Sequence, residues 1–229
     1  DRTGTNFRLR DPALIIAEAT YAYNIAPGSR GLPGDVTLGG WQHFGRFDSL
    51  RFDITGVPLA DPNATGIGRP VRGNAGLYAN YDQTLYRESG KDDEGLGFVV
   101  RAAWSPTRSS LIDAYVDTGL AYKGLFEGRD DDTIGLSFAY ARIGDDAQRA
   151  DRDTILYTGQ PMPRRRAEAV IEATYQAVVV PGFTVQPDAQ YVIRPGAGLA
   201  GPDGRRLRHA AVLGLPATVP YLDRLRPWD

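Results

Sequence analysis

The chain has 229 residues, a formal net charge of −2 and no cysteine, so a disulfide framework, thiol chemistry and cysteine-ligated metals are excluded. Its acidic balance argues against a nucleic-acid partner, which would need a basic surface. The 27 glycines and 12 tyrosines are typical of secreted or outer-membrane β proteins, although soluble β proteins share this composition, and the mean hydropathy is −0.33. No run of 18 apolar residues predicts a transmembrane helix, although barrel strands need be apolar on one side only.

The first predicted element is a strand within ALIIAEATYAYNIAPG, which follows a polar opening segment. Its odd-numbered residues from Ile15 to Ile25 are apolar or aromatic, whereas the even-numbered Glu18, Thr20 and Asn24 are polar. A period of two places alternate side chains on opposite faces, which indicates a β-strand.

The remainder of the chain is predicted to contain further strands and no helix. Residues 48–72, which are rich in proline and glycine, are predicted to form an extended loop, and residues 144–166 a polar loop. Outside the hairpin described next, the further predicted strands are Asp35–Phe47, Asn74–Arg87, Leu96–Trp104, Asp113–Gly124, Thr133–Ile143 and Leu207–Val219.

The clearest unit is Glu172–Pro195, in which two alternating runs are joined by a Pro-Gly pair at 181–182. This arrangement predicts a tight hairpin. The tetrapeptide EATY at 172–175 repeats the EATY at 18–21, and a Pro-Gly pair follows both at the same offset, so we interpret both as one structural role used twice. About ten alternating residues per strand is the length that crosses a bilayer when the strand is tilted.

The connections between the nine predicted strands differ in length. Those after strands 1, 3, 5 and 7 are short to moderate, and those after strands 2, 6 and 8 are the longest, which is the pattern of outer-membrane barrels. We therefore predict an all-β, antiparallel up-and-down transmembrane β-barrel in the bacterial outer membrane, with residues 1–229 in a single domain. Extracellular long loops would place the C-terminus on the periplasmic side.

In such a barrel the polar parity of each strand faces the lumen and the apolar parity faces lipid. Carboxylates accept hydrogen bonds from sugar hydroxyls, arginine and amides donate them, and an aromatic ring stacks on a pyranose face. Charges of both signs favour a neutral polar solute over a selected ion. The candidate pore-lining or sugar-contacting residues are Glu18, Trp41, Arg101, Asp117, Lys123, Glu172, Gln176, Gln186, Asp188, Gln190 and Arg194.

Each candidate also has a plainer interpretation. Mixed lumen charges can pack against neighbouring strands, and Trp41 and Trp104 can belong to an interfacial aromatic belt. Asp130–Asp132 is predicted to be a solvated turn, since it lacks the ligand spacing of a calcium loop. Arg164–Arg166 is predicted to be a solvated loop end or a contact with anionic lipid. Neither histidine has a metal-site spacing, and no catalytic motif is present, so no metal, cofactor or enzymatic activity is predicted.

Three stretches resemble a known family: GLAYKGLFEGRDDDTIGLSFAYARIG at 119–144, PGFTVQPDAQYVIRPGA at 181–197 and AVLGLPATV at 211–219. They are similar to the C-terminal half of the carbohydrate-selective porins of Gram-negative outer membranes, the OprB family, and GLYANYDQTLYRE at 76–88 fits as well. The resemblance implies a diffusion channel for sugars, with a constriction lined by acidic, arginine and aromatic residues. It implies saccharide solutes, outer-membrane lipid or lipopolysaccharide, and further copies in a homo-oligomer as partners.

The predicted strand number adds one expectation. A single-chain bacterial barrel closes with an even number of strands, whereas about nine are predicted here. Members of the family resemble 16-stranded porins, so the resemblance implies that this chain is the C-terminal portion of a barrel of porin type. The other half is then missing or supplied elsewhere, unless the strand count is wrong by one. The opening DRTGTNFRLR lacks the regions of a signal peptide, which indicates a mature chain or an internal fragment. From the residues alone, a small barrel that binds a ligand inside and an outer-membrane barrel enzyme stay open as alternatives.

Overall fold

The computed structural model describes residues 11–219 apart from 27, 92, 106–107 and 203, so most of the polar opening segment and the tail LDRLRPWD lie outside the described residues. The alternating runs form one antiparallel sheet, as predicted. Its strands are β1 (Leu14–Tyr23), β2 (Gly34–Asp53), β3 (Gly68–Arg87), β4 (Gly95–Trp104), β5 (Ile112–Lys123), β6 (Thr133–Ile143), β7 (Ala167–Val180), β8 (Phe183–Val185), β9 (Asp188–Ile193), β10 (Ala210–Gly214) and β11 (Ala217–Thr218).

The 11 described strands follow one another in an up-and-down order. They occupy nine successive positions in the sheet, which we call the wall, because two of these positions are each filled by two short strands. β8 and β9 both pair with β7 and are two parts of one predicted strand, interrupted at Pro187. β10 pairs with β9, and β11 pairs with β8. β10 and β11 are likewise two parts of one predicted strand, which is interrupted at Pro216. Proline lacks the N–H that a sheet ladder needs, which explains both interruptions. The backbone of Gln186 donates to the carbonyl of Pro216 at 2.9 Å and joins the two interruptions.

The sheet is open at both ends of its strand order. Within the described residues, β1 pairs with β2 alone, and β10 and β11 pair with β9 and β8 alone. The described strands therefore do not form the small closed barrel that the sequence left open as an alternative. An unpaired edge exposes backbone N–H and C=O groups that need a partner strand or water.

The two ends of the sheet differ in their connections. One end, which we call the short-turn end, carries residues 24–33, 88–94, 124–132 and 181–182. Its tightest turn is the predicted Pro181-Gly182 pair, where Val180 pairs with Phe183 and Gly182 has the positive φ of 86° that a type II turn requires. The opposite end, the long-loop end, carries residues 54–67, 105–111, 144–166 and 194–209.

The pairing register assigns every wall side chain to one of two faces, because directly opposed residues share a face. Asn80 opposes Arg101, and Arg101 opposes Asp117, so these three lie in one row of what we call the polar face. The other face, the apolar face, carries exposed large side chains such as Leu38 (60% exposed) and Leu136 (55%). This division matches the predicted alternation.

Aromatic side chains lie near both ends of the apolar face. At the short-turn end the ring centroids of Tyr86 and Tyr122 are 6.3 Å apart, and Phe126 meets Tyr175 edge-on at 6.0 Å. Trp104 lies on the same face near the long-loop end, opposite Leu77, where the sequence allowed an interfacial aromatic. Two aromatic zones with aliphatic residues between them are typical of a membrane-facing barrel surface.

The predicted extended loop at 48–72 is wrong at both ends. β2 continues to Asp53, β3 begins at Gly68, and Phe47 still pairs with Val71 after a register shift. The strands therefore extend as a hairpin past His43, the last residue of β2 that pairs with β1. The glycines and prolines of this stretch are typical of loops, so the sequence did not predict the extended strands there.

The predicted polar loop at 144–166 contains α1 (Asp145–Thr158), so the expectation of no helix is wrong. Two aspartates in its first turn stabilise the helix, because their negative charges lie at the positive end of the helix dipole. The helix ends at Gly159, which has a left-handed conformation with φ 64°. The helix is largely polar, with Ala147 as its buried apolar residue against Ile143, and it lacks the apolar stripe by which sequence periodicity reveals a helix. No helix in the described part of the chain has the length and apolar character needed to cross a membrane.

Candidate functional site: the polar face of the sheet

The register brings most of the predicted site residues onto one surface. Nine of the eleven candidates occupy paired positions on the polar face. The remaining two, Gln186 and Arg194, lie outside the paired strands. The nine are Glu18, Trp41, Arg101, Asp117, Lys123, Glu172, Gln176, Asp188 and Gln190.

Trp41 and Tyr78 form an aromatic platform on this face, with ring centroids 6.3 Å apart and ring planes 28° from parallel. Each ring lies over a glycine of the neighbouring strand: Tyr78 opposes Gly39, and Trp41 opposes Gly76. A Cβ atom on Gly39 would lie 2.2 Å from the ring of Tyr78, and one on Gly76 would lie 2.1 Å from that of Trp41. The missing side chains therefore let both rings lie close against the wall.

Polar contacts fix the edges of the platform. The Tyr78 hydroxyl donates to the Glu18 carboxylate at 2.6 Å, and the Trp41 indole N–H donates to Asn74 Oδ1 at 3.4 Å. The sequence predicts Glu18 and Trp41 as site residues but not Tyr78, because polar and apolar residues do not alternate cleanly over the whole of Asn74–Arg87. The alternation of Tyr78 and Asn80 with Leu77 and neighbouring apolar residues was the signal that could have revealed it.

Arg101 and Asp117 oppose each other on β4 and β5 and form an ion pair, with Arg101 Nε 2.9 Å from Asp117 Oδ1. The Arg101 side chain is 61% exposed and that of Asp117 is 11% exposed. The second carboxylate oxygen of Asp117 is buried and has no hydrogen-bond partner in the described part of the chain. The pair thus leaves guanidinium N–H groups exposed on the polar face as hydrogen-bond donors.

A recess of about 360 Å³ lies in the polar face beside this ion pair. Carboxylates of Asp82 and Glu172 and the amide of Gln186 lie among its lining groups. Several of the lining residues on β4, β5 and β6 have small side chains or none, which leaves space at this part of the sheet: Gly97, Gly119, Ala121, Gly135 and Ser137. The recess therefore combines free volume with hydrogen-bond acceptors and an amide donor.

Lys123 has a different environment from the other candidates, because it ends β5 at the short-turn end. Its ammonium group binds Asp93 and lies 3.7 Å from Asp131. Nearby, Lys91 binds Glu94 at 2.7 Å and Asp130 at 2.9 Å. Hydrogen bonds to Glu94 and then Asp130 raise the pKa of Lys91 above its ordinary value. Both lysines thus connect two neighbouring turns.

Asp132 anchors a turn, so the prediction of a solvated turn at 130–132 is wrong for this residue. Its side chain is 4% exposed and accepts hydrogen bonds from Arg129 at 2.7 and 3.0 Å, from the Val178 N–H at 2.8 Å and from the Tyr175 hydroxyl. Burial raises the pKa of Asp132, but the hydrogen bonds from Tyr175, Val178 and Arg129 outweigh it and hold the pKa below its ordinary value.

The remaining candidates divide between the polar face and the long-loop end. On the polar face, Gln190 opposes Glu172 and lies 3.4 Å from Asp188, while Gln176 opposes Thr133 on β6. Arg194 follows β9 in a left-handed conformation with φ 57°. It lines a cavity at the long-loop end together with other arginines.

Comparison with known proteins gives one family. The family model described as carbohydrate-selective porin, OprB family, matches residues 1–221. Porin B of Pseudomonas aeruginosa is 27% identical over 210 residues, which are 85% of this chain and 44% of that protein. A high-pH structure of Pseudomonas putida OprB superposes with a TM-score of 0.80 and 26% identity, covering 95% of this chain and 51% of the other. The chain thus spans about half the length of these relatives.

Proposed function

Because this chain belongs to the carbohydrate-selective porin, OprB family, we propose that the whole protein is an outer-membrane channel through which saccharides diffuse along the polar face of this sheet. The observation that carries the proposal is the gathering of acceptors, donors and an aromatic platform on one face, while the opposite face is apolar. In a membrane barrel the first face lines the water-filled lumen and the second meets lipid.

The polar face offers each group that a neutral sugar needs. Exposed N–H groups of Arg101 donate to hydroxyl oxygens, and Asp82 and Glu172 at the recess accept from hydroxyl groups. The rings of Trp41 and Tyr78 provide an apolar surface for the C–H face of a pyranose. Several weak sites suit transport, since a solute must enter readily and also leave. This passage needs no catalytic group and no cofactor.

The described sheet fits a larger barrel in this proposal. Its free edges on β1 and on β10 and β11 take further strands of the same barrel, and relatives of about twice the length are consistent with that. The long-loop end faces the outside of the cell and the short-turn end faces the periplasm, as short periplasmic turns and longer extracellular loops are the rule for such barrels.

The proposal is tested with the full-length protein reconstituted into liposomes and planar bilayers. We expect liposomes to swell in isotonic monosaccharide and added sugar to reduce the ion current. Trp41→Ala removes half of the platform and should weaken the block by sugar. Trp104→Ala is the matched control, because Trp104 lies on the apolar face.

Two outcomes would contradict the proposal in different ways. Absence of any conductance or swelling from correctly folded full-length protein would overturn the channel function. A channel in which Trp41→Ala and Trp104→Ala behave alike would keep the channel but remove the platform as a sugar contact.

A further inference from the structure

A cavity of about 370 Å³ at the long-loop end is lined by five arginines, and we call it the arginine pocket. The arginines come from four separate segments: the end of β6, helix α1, the segment before β7 and the residue after β9. They are Arg142, Arg152, Arg164, Arg166 and Arg194. Convergence of segments that are distant in sequence makes this a built concavity rather than a run of neighbouring charges.

The arginine pocket carries an excess of positive charge. Arg142 is neutralised, since it lies 3.4 Å from Asp113 and binds Asp145. In the described part of the chain, the other four side chains have no ion-pair partner. Arg165, whose side chain is not part of the pocket lining, instead makes a two-pronged ion pair with Asp151 at 2.6 Å. Four unpaired guanidinium groups around one cavity repel each other, and a bound anion would remove that repulsion.

The position of the arginine pocket relative to the two faces indicates which anion it takes. Along β6 the residues on the apolar face change from aliphatic to aromatic to cationic toward the long-loop end. That series is Ile134, Leu136, Phe138, Tyr140 and Arg142. Tyr140 and Arg142 line the pocket, together with Ala167, which opposes Arg142 on β7. Three of the residues that line the pocket, Tyr140, Arg142 and Ala167, therefore lie where the apolar surface ends at the long-loop end.

We propose that the arginine pocket binds the phosphate groups of an anionic lipid headgroup, such as those of lipopolysaccharide, at the rim of the barrel. The proposal rests on the proposed function in one respect, namely that the apolar face contacts membrane lipid. Guanidinium groups bind phosphate oxygens through paired N–H donors, and four unpaired ones suit more than one phosphate. The acyl chains of the same lipid would lie against the apolar residues of β6 below the pocket.

The test uses full-length protein, delipidated in a neutral detergent, and the binding of diphosphorylated lipid A, its dephosphorylated form and inorganic phosphate. The variant Arg164→Gln/Arg166→Gln removes two unpaired charges of the pocket. The control variant Arg30→Gln/Arg149→Gln removes equal charge outside the pocket lining. We expect the pocket variant to lose at least about tenfold in affinity for diphosphorylated lipid A, and the control to stay near the wild type.

Three results would overturn the proposal. One is equal affinity of the two variants for the phosphorylated lipid, and another is equal binding of the dephosphorylated lipid by the wild type. The third is inorganic phosphate binding as tightly as the lipid, which would make the pocket a solute site. Sugar-induced swelling of liposomes that contain the same variants separates this proposal from the channel function, because the pocket variant should conduct sugar like the wild type.

Discussion

The Tyr78 hydroxyl donates to the Glu18 carboxylate across an entire intervening strand, at 2.6 Å. Tyr78 is on β3 and Glu18 is on β1, and Gly39 of β2 lies between them as the direct neighbour of both. The contact exists because glycine leaves the space through which the tyrosine ring reaches. One glycine thus connects three strands and sets the position of an aromatic surface on the polar face.

Gly39→Ala should disturb the platform. Its Cβ would lie 2.2 Å from the Tyr78 ring, so the ring must move and its bond to Glu18 is lost. We expect the sugar concentration that half-blocks the current to rise about three- to tenfold, since an aromatic contact contributes about 1 kcal/mol. Leu38→Ala is the control, because Leu38 is the residue before Gly39 on β2 and its side chain lies on the apolar face. Equal sugar block in both variants would exclude the platform from the sugar path.

The wall of this protein could be predicted from its sequence because the wall is periodic. Alternation over β4 and β6 is uninterrupted, and the Pro181-Gly182 turn has a local cause in the conformations of these two residues. Parity predicts a position on the polar face for both Arg101 and Asp117, but it does not predict that the two residues pair.

The long-loop end could not be predicted in the same way. Helix α1 carries a polar sequence, and it is held by contacts with distant residues, such as Arg51 on β2 and Leu50 in the same buried cluster as Ala147. The aromatic platform depends on the pairing of Tyr78 with Gly39 on the neighbouring strand. The alternation within one strand does not predict which residues of another strand lie opposite, so the platform could not be predicted from the sequence of either strand.

The Arg101–Asp117 pair should influence ion selectivity, since its arginine is exposed on the polar face. Asp117→Asn leaves the Arg101 charge unbalanced and should favour anions, whereas Arg101→Gln leaves Asp117 unbalanced and should favour cations. A unit charge at about 4 Å contributes about 1 kcal/mol in water, so the permeability ratio should change by up to about fivefold. The measurement is the reversal potential in a KCl gradient at low ionic strength, where screening is weak.

The double variant provides the internal control for this pair. Without either charge, Arg101→Gln/Asp117→Asn should return the reversal potential close to that of the wild type. Unchanged potentials in both single variants would show that permeating ions do not pass near this row of the wall.

A second ion pair secures helix α1 to the extended hairpin. Arg51 donates two hydrogen bonds to Asp153, from Nε to Oδ2 at 2.7 Å and from Nη2 to Oδ1 at 3.2 Å. The two side chains are only 21% and 13% exposed. Asp153→Ala should weaken docking of the helix by about 1 kcal/mol. That corresponds to about fivefold faster protease cleavage within residues 144–166. Exchanging the two residues, Arg51→Asp/Asp153→Arg, should restore part of the protection, and cleavage unaffected by either change would contradict a role for the pair.

The Asp53 carboxylate accepts hydrogen bonds from both ends of the loop at 54–67. The Asp53 side chain is fully buried, at 0% exposure. One carboxylate oxygen accepts from the Thr55 N–H at 2.9 Å, the Thr55 hydroxyl at 2.7 Å and the Val57 N–H at 2.9 Å, and the other accepts from the Thr65 N–H at 2.9 Å. Both ends of the loop are therefore tied to one carboxylate, which lies ten positions past the last β2 residue that pairs with β1.

The loop should open in acid for this reason. Hydrogen bonds, first that from the Thr65 N–H, hold the pKa of Asp53 well below its ordinary value, so the ionised form favours the closed loop. That stabilisation is complete above the ordinary carboxyl pKa of about 4 and decreases as the pH falls toward the lowered pKa. Amide exchange at Val57 and Thr65, corrected for intrinsic rates, should lose protection below about pH 4. Asp53→Asn should reduce that protection already at pH 7, whereas wild-type protection constant down to about pH 2 would contradict this role of the carboxylate.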